Sequence, residues 1–150
     1  MSEEYIRPTV RAVIRKGELV LVQVKKGAKG QQYLTLPGGR QEHGETMQEC
    51  LGRECLEEIG IAPGIGELLH VADVFRQRSG KPRHLVEMLF ACTVPDTYVA
   101  AMGCKPDKRQ IATKWVDLSR DGALFRPRYD QALTRKDRLI YLGRLVHGTP

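Results

Sequence analysis

The sequence predicts a mixed α/β fold of the α+β kind, with helices flanking a mixed β-sheet. Segments of strand period and segments of helical period both occur, without the regular strand–helix–strand alternation of an all-parallel sheet. The 150 residues are about one domain's length, and 41% hydrophobic with 28% charged residues is the balance of an ordinary globular chain. No low-complexity block, long linker or internal repeat divides the sequence, so residues 1–150 are expected to form a single domain.

The elements follow in order. Residues 9–14 alternate, with Val10, Ala12 and Ile14 two apart, and read as a strand. Lys16-Gly17 makes a turn, and residues 19–24 form a second strand. Residues 27–32 read as a loop, and residues 33–36 as a short strand ended by Pro37-Gly38-Gly39. A helix comes next. Thr46 and Glu49 match a capping box, Gly60 with Pro63 marks the end, and Leu51, Cys55 and Ile59 make an apolar stripe with Gly52 among them. Strands over residues 68–78 and 84–94 are joined by Ser79-Gly80-Lys81-Pro82, a hairpin signal. Residues 111–118 read as a strand around Trp115. Residues 130–146 are expected as a final helix, with Leu133, Ile140, Leu142 and Leu145 among its apolar positions.

Several classes of function are excluded at once. The longest apolar stretches, such as Leu19-Val20-Leu21-Val22, fall far short of the ~20 residues of a membrane helix, so no membrane partner is expected. The acidic start Met1-Ser2-Glu3-Glu4 carries no secretory signal, and a cytoplasmic location is expected. With 24 Lys and Arg against 18 Asp and Glu, the net charge of +6 favours a polyanionic ligand or a solvated basic surface. Cys50, Cys55, Cys92 and Cys104 show no metal-ligand spacing and read as reduced, packed thiols. The four histidines form no motif.

The informative segment runs from Gly39 to Ile61. On its helix Glu54, Glu57 and Glu58 stand at i, i+3 and i+4, beside the apolar stripe. Such like charges repel, and Glu57 and Glu58 occupy the last turn, where the helix dipole disfavours anions. Arg53 offsets part of this. A hard divalent cation, Mg²⁺ or Mn²⁺, would offset the rest, since it takes oxygen ligands and keeps waters and phosphates in its shell. The compact loop Leu36-Pro37-Gly38-Gly39-Arg40 brings backbone groups near the helix.

Gly39, Glu45, Arg53-Glu54, Glu57-Glu58 and Gly60-Ile61 resemble the Nudix box, G-x5-E-x7-R-E-U-x-E-E-x-G-U with U a bulky aliphatic residue. Seven fixed letters fall in place, which chance would give in on the order of one sequence per million. Cys55 departs from the pattern at the first U position. The resemblance covers 23 residues, and the surrounding elements are similar to the family's α/β/α sandwich around a mixed sheet.

What the resemblance implies is an Mg²⁺-dependent (or Mn²⁺-dependent) hydrolase that cuts the pyrophosphate bond of a nucleoside diphosphate linked to another moiety. ADP-ribose-like and nucleoside triphosphate substrates both fit. Glu54, Glu57 and Glu58 would be metal ligands, joined by the carbonyl of Gly38, and Arg53 would orient one of the glutamates. Gly39 and Gly60 would permit the loop–helix–loop geometry, and Glu45 would brace the loop. The general base would be a box glutamate, Glu54, or a carboxylate on a separate loop, with Glu87 and Asp107 as candidates for an extra acid outside the box. Arg76 and Arg78, on one face of a hairpin strand, with Lys81 and Arg83 across the turn, are candidates to grip substrate phosphates. The expected partner is a small nucleotide rather than a nucleic acid, and a homodimer is compatible with the family. The alternative from another class is a non-catalytic nucleotide- or RNA-binding module that keeps the fold.

Overall fold

The computed structural model describes residues 4–78 and 80–148. The chain runs β1 (Arg7–Lys16), β2 (Leu19–Lys26), β3 (Gln32–Thr35), β4 (Gly38–Arg40), α1 (Met47–Ile59), β5 (Gly64–Arg78), β6 (Lys81–Thr93) and β7 (Gln110–Asp117). It ends in α2 (Leu118–Asp121), a 3₁₀ turn (Gly122–Leu124), α3 (Tyr129–Leu133) and β8 (Tyr141–Val146). Among the described residues no helix is long and apolar enough to cross a membrane.

The strands form one mixed sheet in the order β3-β2-β1-β6-β5-β8, with β4 paired to β1 and β7 to β2. The β1–β6 and β5–β8 pairs are parallel and the rest antiparallel. Alternation along β1 sends its side chains to two cores. Val10, Ala12 and Ile14 face α1 and pack with Leu51, Cys55 and Ile59, while Val13 faces a second core with Leu34, Leu36, Phe125 and Tyr129. Helices thus cover both faces, the expected sandwich. Cys55 is fully buried, so it serves the box as a small hydrophobe.

The carboxylate helix is fixed at both ends. At its start the Thr46 hydroxyl accepts from the Glu49 amide (3.1 Å), and the Glu49 side chain accepts from the Thr46 amide (2.9 Å). At its end Gly60 takes the left-handed conformation (φ 81°) that glycine adopts without cost. The last carbonyls, which no helix can satisfy internally, are met by the segment leading into β7. The amides of Gly103 and Lys105 donate to Glu58 and Glu57 (3.1 and 2.9 Å). The Gln110 side chain donates to Glu58 (2.9 Å), and the Tyr98 hydroxyl to Ile59 (2.6 Å). A Cβ on Gly103 would overlap the carbonyl oxygens of Leu56 and Glu57, so only glycine lets this segment approach.

One expected element is corrected. Residues 130–146 do not form a helix: α3 stops at Leu133, and Tyr141–Val146 is a strand at the sheet edge beside β5. Three residues of β5, Val71 to Asp73, oppose four of β8, Tyr141 to Arg144, and the longer stretch contains Gly143 at φ 78°. This glycine bulge places Leu142 and Leu145, three apart, against the same core. The spacing imitates a helical period. In the hairpin, Ser79 lies outside the described residues.

Gly52 lies mid-helix with nothing within 4 Å of an added Cβ. Gly52→Ala is expected to raise stability by about 0.5–1 kcal/mol. Gly103→Ala is expected to lower it by about 1–3 kcal/mol. Urea denaturation of the two variants beside the parent checks both signs.

Candidate active site

Three elements build the site: α1, the loop and short strand around residues 36–40, and the neighbouring parts of β1, β2 and β6. Arg53 is its hub. Its guanidinium donates to both oxygens of Glu45 (3.0 and 2.7 Å), to Glu54 Oε1 (3.0 Å) and to the Arg40 carbonyl (3.3 Å), and lies 3.7 Å from Glu57 Oε2. The fork-shaped pairing with Arg53 holds the Glu45 carboxyl down at about 2, despite some desolvation. Glu45 also accepts from the Glu42 amide (2.8 Å), so it ties the loop to the helix.

Glu54 and Glu58 face the loop. A Cβ on Gly39 would overlap the Glu54 carboxylate, so glycine there is what lets backbone and carboxylate meet. Glu58 is only 5% exposed, and its Oε1 accepts from the Gly38 amide (3.2 Å). Burial pushes its pKa up to about 7, against the opposing charges of Lys25 and Arg11. Helical spacing sets Glu58 beside the apolar stripe and outside the core; the structure instead puts it in the packed interior.

Beneath the loop lies a buried network. Arg11 donates to Glu87 Oε2 (3.1 Å) and, through Nη1, to the carbonyls of Leu36 and Gly38 (3.2 Å each). Glu87 also accepts from Thr9 (3.0 Å) and Tyr129 (2.6 Å). Burial alone would raise the Glu87 pKa, but the Arg11 charge and these hydrogen bonds together hold it low. Glu87 was expected as an acid beside the substrate. It is instead 1% exposed with both oxygens engaged, because parallel pairing sets it opposite Thr9 on the covered face.

The structure gathers Gly38, Gly39, Glu54, Glu58, Arg76 and Asp107 around a cavity of about 280 Å³ that Arg7, Arg11, Lys25 and Arg83 also line. Asp107 stands 3.7 Å from Lys25. Arg76 and Arg83 are cross-strand partners in the β5–β6 register, and like charges so placed repel. Glu57 is not part of the cavity lining and points to Arg53; Gly60 caps the helix behind. The side chain of Arg78 lies outside the described residues, and Lys81 is not among the lining residues. Among the described residues no group of three His, Cys, Asp or Glu side chains forms a ready metal cluster. The donor set nonetheless fits a hard cation. Two carboxylates and the Gly38 carbonyl, which has a second lone pair beyond the Arg11 bond, are all oxygen ligands, and the buried Glu58 gains from an added positive charge.

The NUDIX domain family matches residues 6–131, most of the chain. The chain belongs to the Nudix family. It is 32% identical over 93 residues to an ADP-ribose pyrophosphatase of Methanocaldococcus jannaschii, covering 60% of this chain and 53% of that protein. A relative from Caenorhabditis elegans, named as a nudix hydrolase, is 32% identical over 102 residues, 67% of this chain and 25% of its own. The chain thus spans between a quarter and a half of the curated relatives it matches. In fold, this Nudix chain is similar to a NUDIX hydrolase from Nitrosomonas europaea (TM-score 0.63, 20% identity, 81% of each chain). It is also similar to a MutT NUDIX hydrolase from Burkholderia pseudomallei (TM-score 0.61, 25% identity, 77% of this chain and 86% of that one).

Sequence reasoning missed Arg11, Lys25 and His147. Lys25 left a signal, since Gln23 and Lys25 interrupt an otherwise apolar strand at inward positions. Arg11 left none, because an alternating strand reads the same until its neighbours are known. His147 follows the strand that resembled a helix.

Arg11→Met would leave the Glu87 charge buried without its partner, and a loss of about 3–5 kcal/mol is expected on chemical denaturation. Tyr129→Phe should cost less, about 1–3 kcal/mol. His147 is held neutral, its pKa pushed down to about 4 by burial and by the charge of Arg76. The folded state therefore resists protonation. The stability this confers is complete above the unfolded value of about 6.5 and is lost as pH falls towards 4. Thermal melts of His147→Gln should show a shallower decline than the parent over that window.

Proposed function

We propose that the site hydrolyses a pyrophosphate bond in a nucleoside diphosphate linked to another moiety, with Mg²⁺ or Mn²⁺ held by Glu54, Glu58 and the Gly38 carbonyl. Glu57, which lies 3.7 Å from Arg53, would be a further ligand. The observation that carries this is the pairing of a buried, under-compensated carboxylate with cationic walls in one cavity: Glu54 and Glu58 on one side, Arg76, Arg83 and Lys25 on the other. A diphosphate would fit between those two charge fields, and a divalent cation would offset the charge of the acids. The archaeal relative's name, an ADP-ribose pyrophosphatase, supports the same class of bond.

The metal, once bound, would neutralise the phosphate oxygens and acidify a coordinated water. The chain's own residues do the rest. Arg53 fixes Glu54 through Oε1, which leaves Oε2 to accept the proton of the attacking water. Arg76 and Arg83 bind the phosphates and favour charge that accumulates on the leaving group. Arg11, anchored by Glu87, keeps the Gly38 carbonyl in place.

Phosphate release from a nucleotide panel, with and without Mg²⁺, is the direct test. Glu54→Gln and Glu58→Gln are expected to lose at least about 100-fold in turnover. Without metal, Glu58→Gln should unfold no earlier than the parent, since it removes a buried charge while keeping the shape. Retained nucleotide or RNA binding with no hydrolysis of any panel member would instead establish the non-catalytic module.

A further inference from the structure

A larger cavity of about 640 Å³ adjoins the carboxylate cavity and shares Arg11, Lys25, Arg76 and Asp107 with it. Its size suits a nucleoside-sized group. Two features of its walls differ in kind.

At the outer end the charge is one-sided. Six cationic side chains line the cavity (Arg11, Lys25, Lys29, Arg76, Lys108, Arg109) against the single carboxylate of Asp107. Arg11 is matched by Glu87 below, and Lys25 faces Asp107. Arg76 also lines the carboxylate cavity, so the cations peculiar to this one are Lys29, Lys108 and Arg109. They come from two loops held side by side by the Lys26 amide, which donates to the Arg109 carbonyl (3.0 Å). The inner side is polar. Among the described residues Thr35 Oγ1, Gln31 Oε1 and His147 Nδ1 are buried there without a hydrogen-bond partner, and Thr35 is only 5% exposed. Buried polar atoms are nearly always paired. Tyr33 flanks them, its ring meeting that of His147 edge-on at 5.8 Å.

We propose that this cavity is the subsite for the part of the substrate beyond the hydrolysed bond, and that it selects a group carrying a phosphate additional to the scissile pair. The proposal rests on the pyrophosphohydrolase reading and gives it a substrate preference. A neutral sugar or base would leave the outer cations without a counter-charge. A phosphate placed beyond the diphosphate, on the ribose or farther along the phosphate chain, meets Lys29, Lys108 and Arg109. Lys29, Lys108 and Arg109 are then the residues that set specificity.

Calorimetry on the full chain without metal, where no bond is cut, tests this with two matched pairs: ADP-ribose against ADP-ribose 2′-phosphate, and ADP against ATP. At least one pair is expected to show roughly tenfold or tighter binding of the member with the extra phosphate, the scale of a charge-assisted contact. Lys29→Ala and the double variant Lys108→Ala/Arg109→Ala should bring that ratio towards one. Lys136→Ala, a basic residue elsewhere on the surface, should not. Preference confined to the first pair places the phosphate on the ribose, and to the second, on the chain. No preference in either pair, or a ratio the loop variants leave intact, overturns the proposal. Hydrolysis of the same four compounds with Mg²⁺ is read separately, so a chain that cuts none of them refutes the activity while the binding ratios still decide the subsite.

Discussion

Arg11 and Glu87 form a charge pair sealed inside the molecule, and the position of the glycine loop depends on it. Neither charge could persist there alone, because moving an isolated ion out of water costs far more than any one contact returns. Together, and with Thr9 and Tyr129 on the remaining oxygens, they are satisfied. What is left of the Arg11 guanidinium is spent on two backbone carbonyls, those of Leu36 and Gly38. The loop is therefore hung from β1 and β6 rather than from its own turn, and it meets α1 with Gly38 and Gly39 against Glu58 and Glu54.

The helix carries its acids in two different states. Glu54 and Glu57 share Arg53 with Glu45 of the preceding loop, and it compensates them near the surface. Glu58 points the other way, into the interior, with an amide from Gly38 and the more distant charges of Lys25 and Arg11. One face of a helix thus supplies both a braced carboxylate and a strained one. A strained carboxylate opening on a cationic cavity is where a cation-bound anion lowers the energy most, and that contrast underlies the catalytic proposal.

Charge also varies along the cavity floor. Acids cluster at the α1 end, Lys25 and Asp107 form the midpoint, and the loops after β2 and before β7 finish in bare cations. A ligand with charge at both ends and a polar ring system between would follow this gradient. The same segment before β7 that supplies Lys108 and Arg109 also caps the C-terminus of α1 through Gly103, Lys105 and Gln110. The subsite and the carboxylate helix are consequently set by one piece of chain.

The sequence by itself determined whatever depends on neighbours along the chain. The limits of α1, its capping box, the Gly60 end, the alternating strands and the box of charges around Arg53 are local patterns, and each could be read directly. The structure alone decided what depends on partners far apart in sequence. Glu87 read as an available acid, and only parallel pairing of β1 with β6 buried it against Arg11. Leu142 and Leu145 read as a helix, and only pairing of β8 with β5 revealed the bulge at Gly143 that gives them that spacing. His147 and Thr35 had no meaning until that strand brought them into one cavity. Local periodicity fixes the shape of an element, but burial and charge pairing are set by which elements meet, and no spacing within a single element records that.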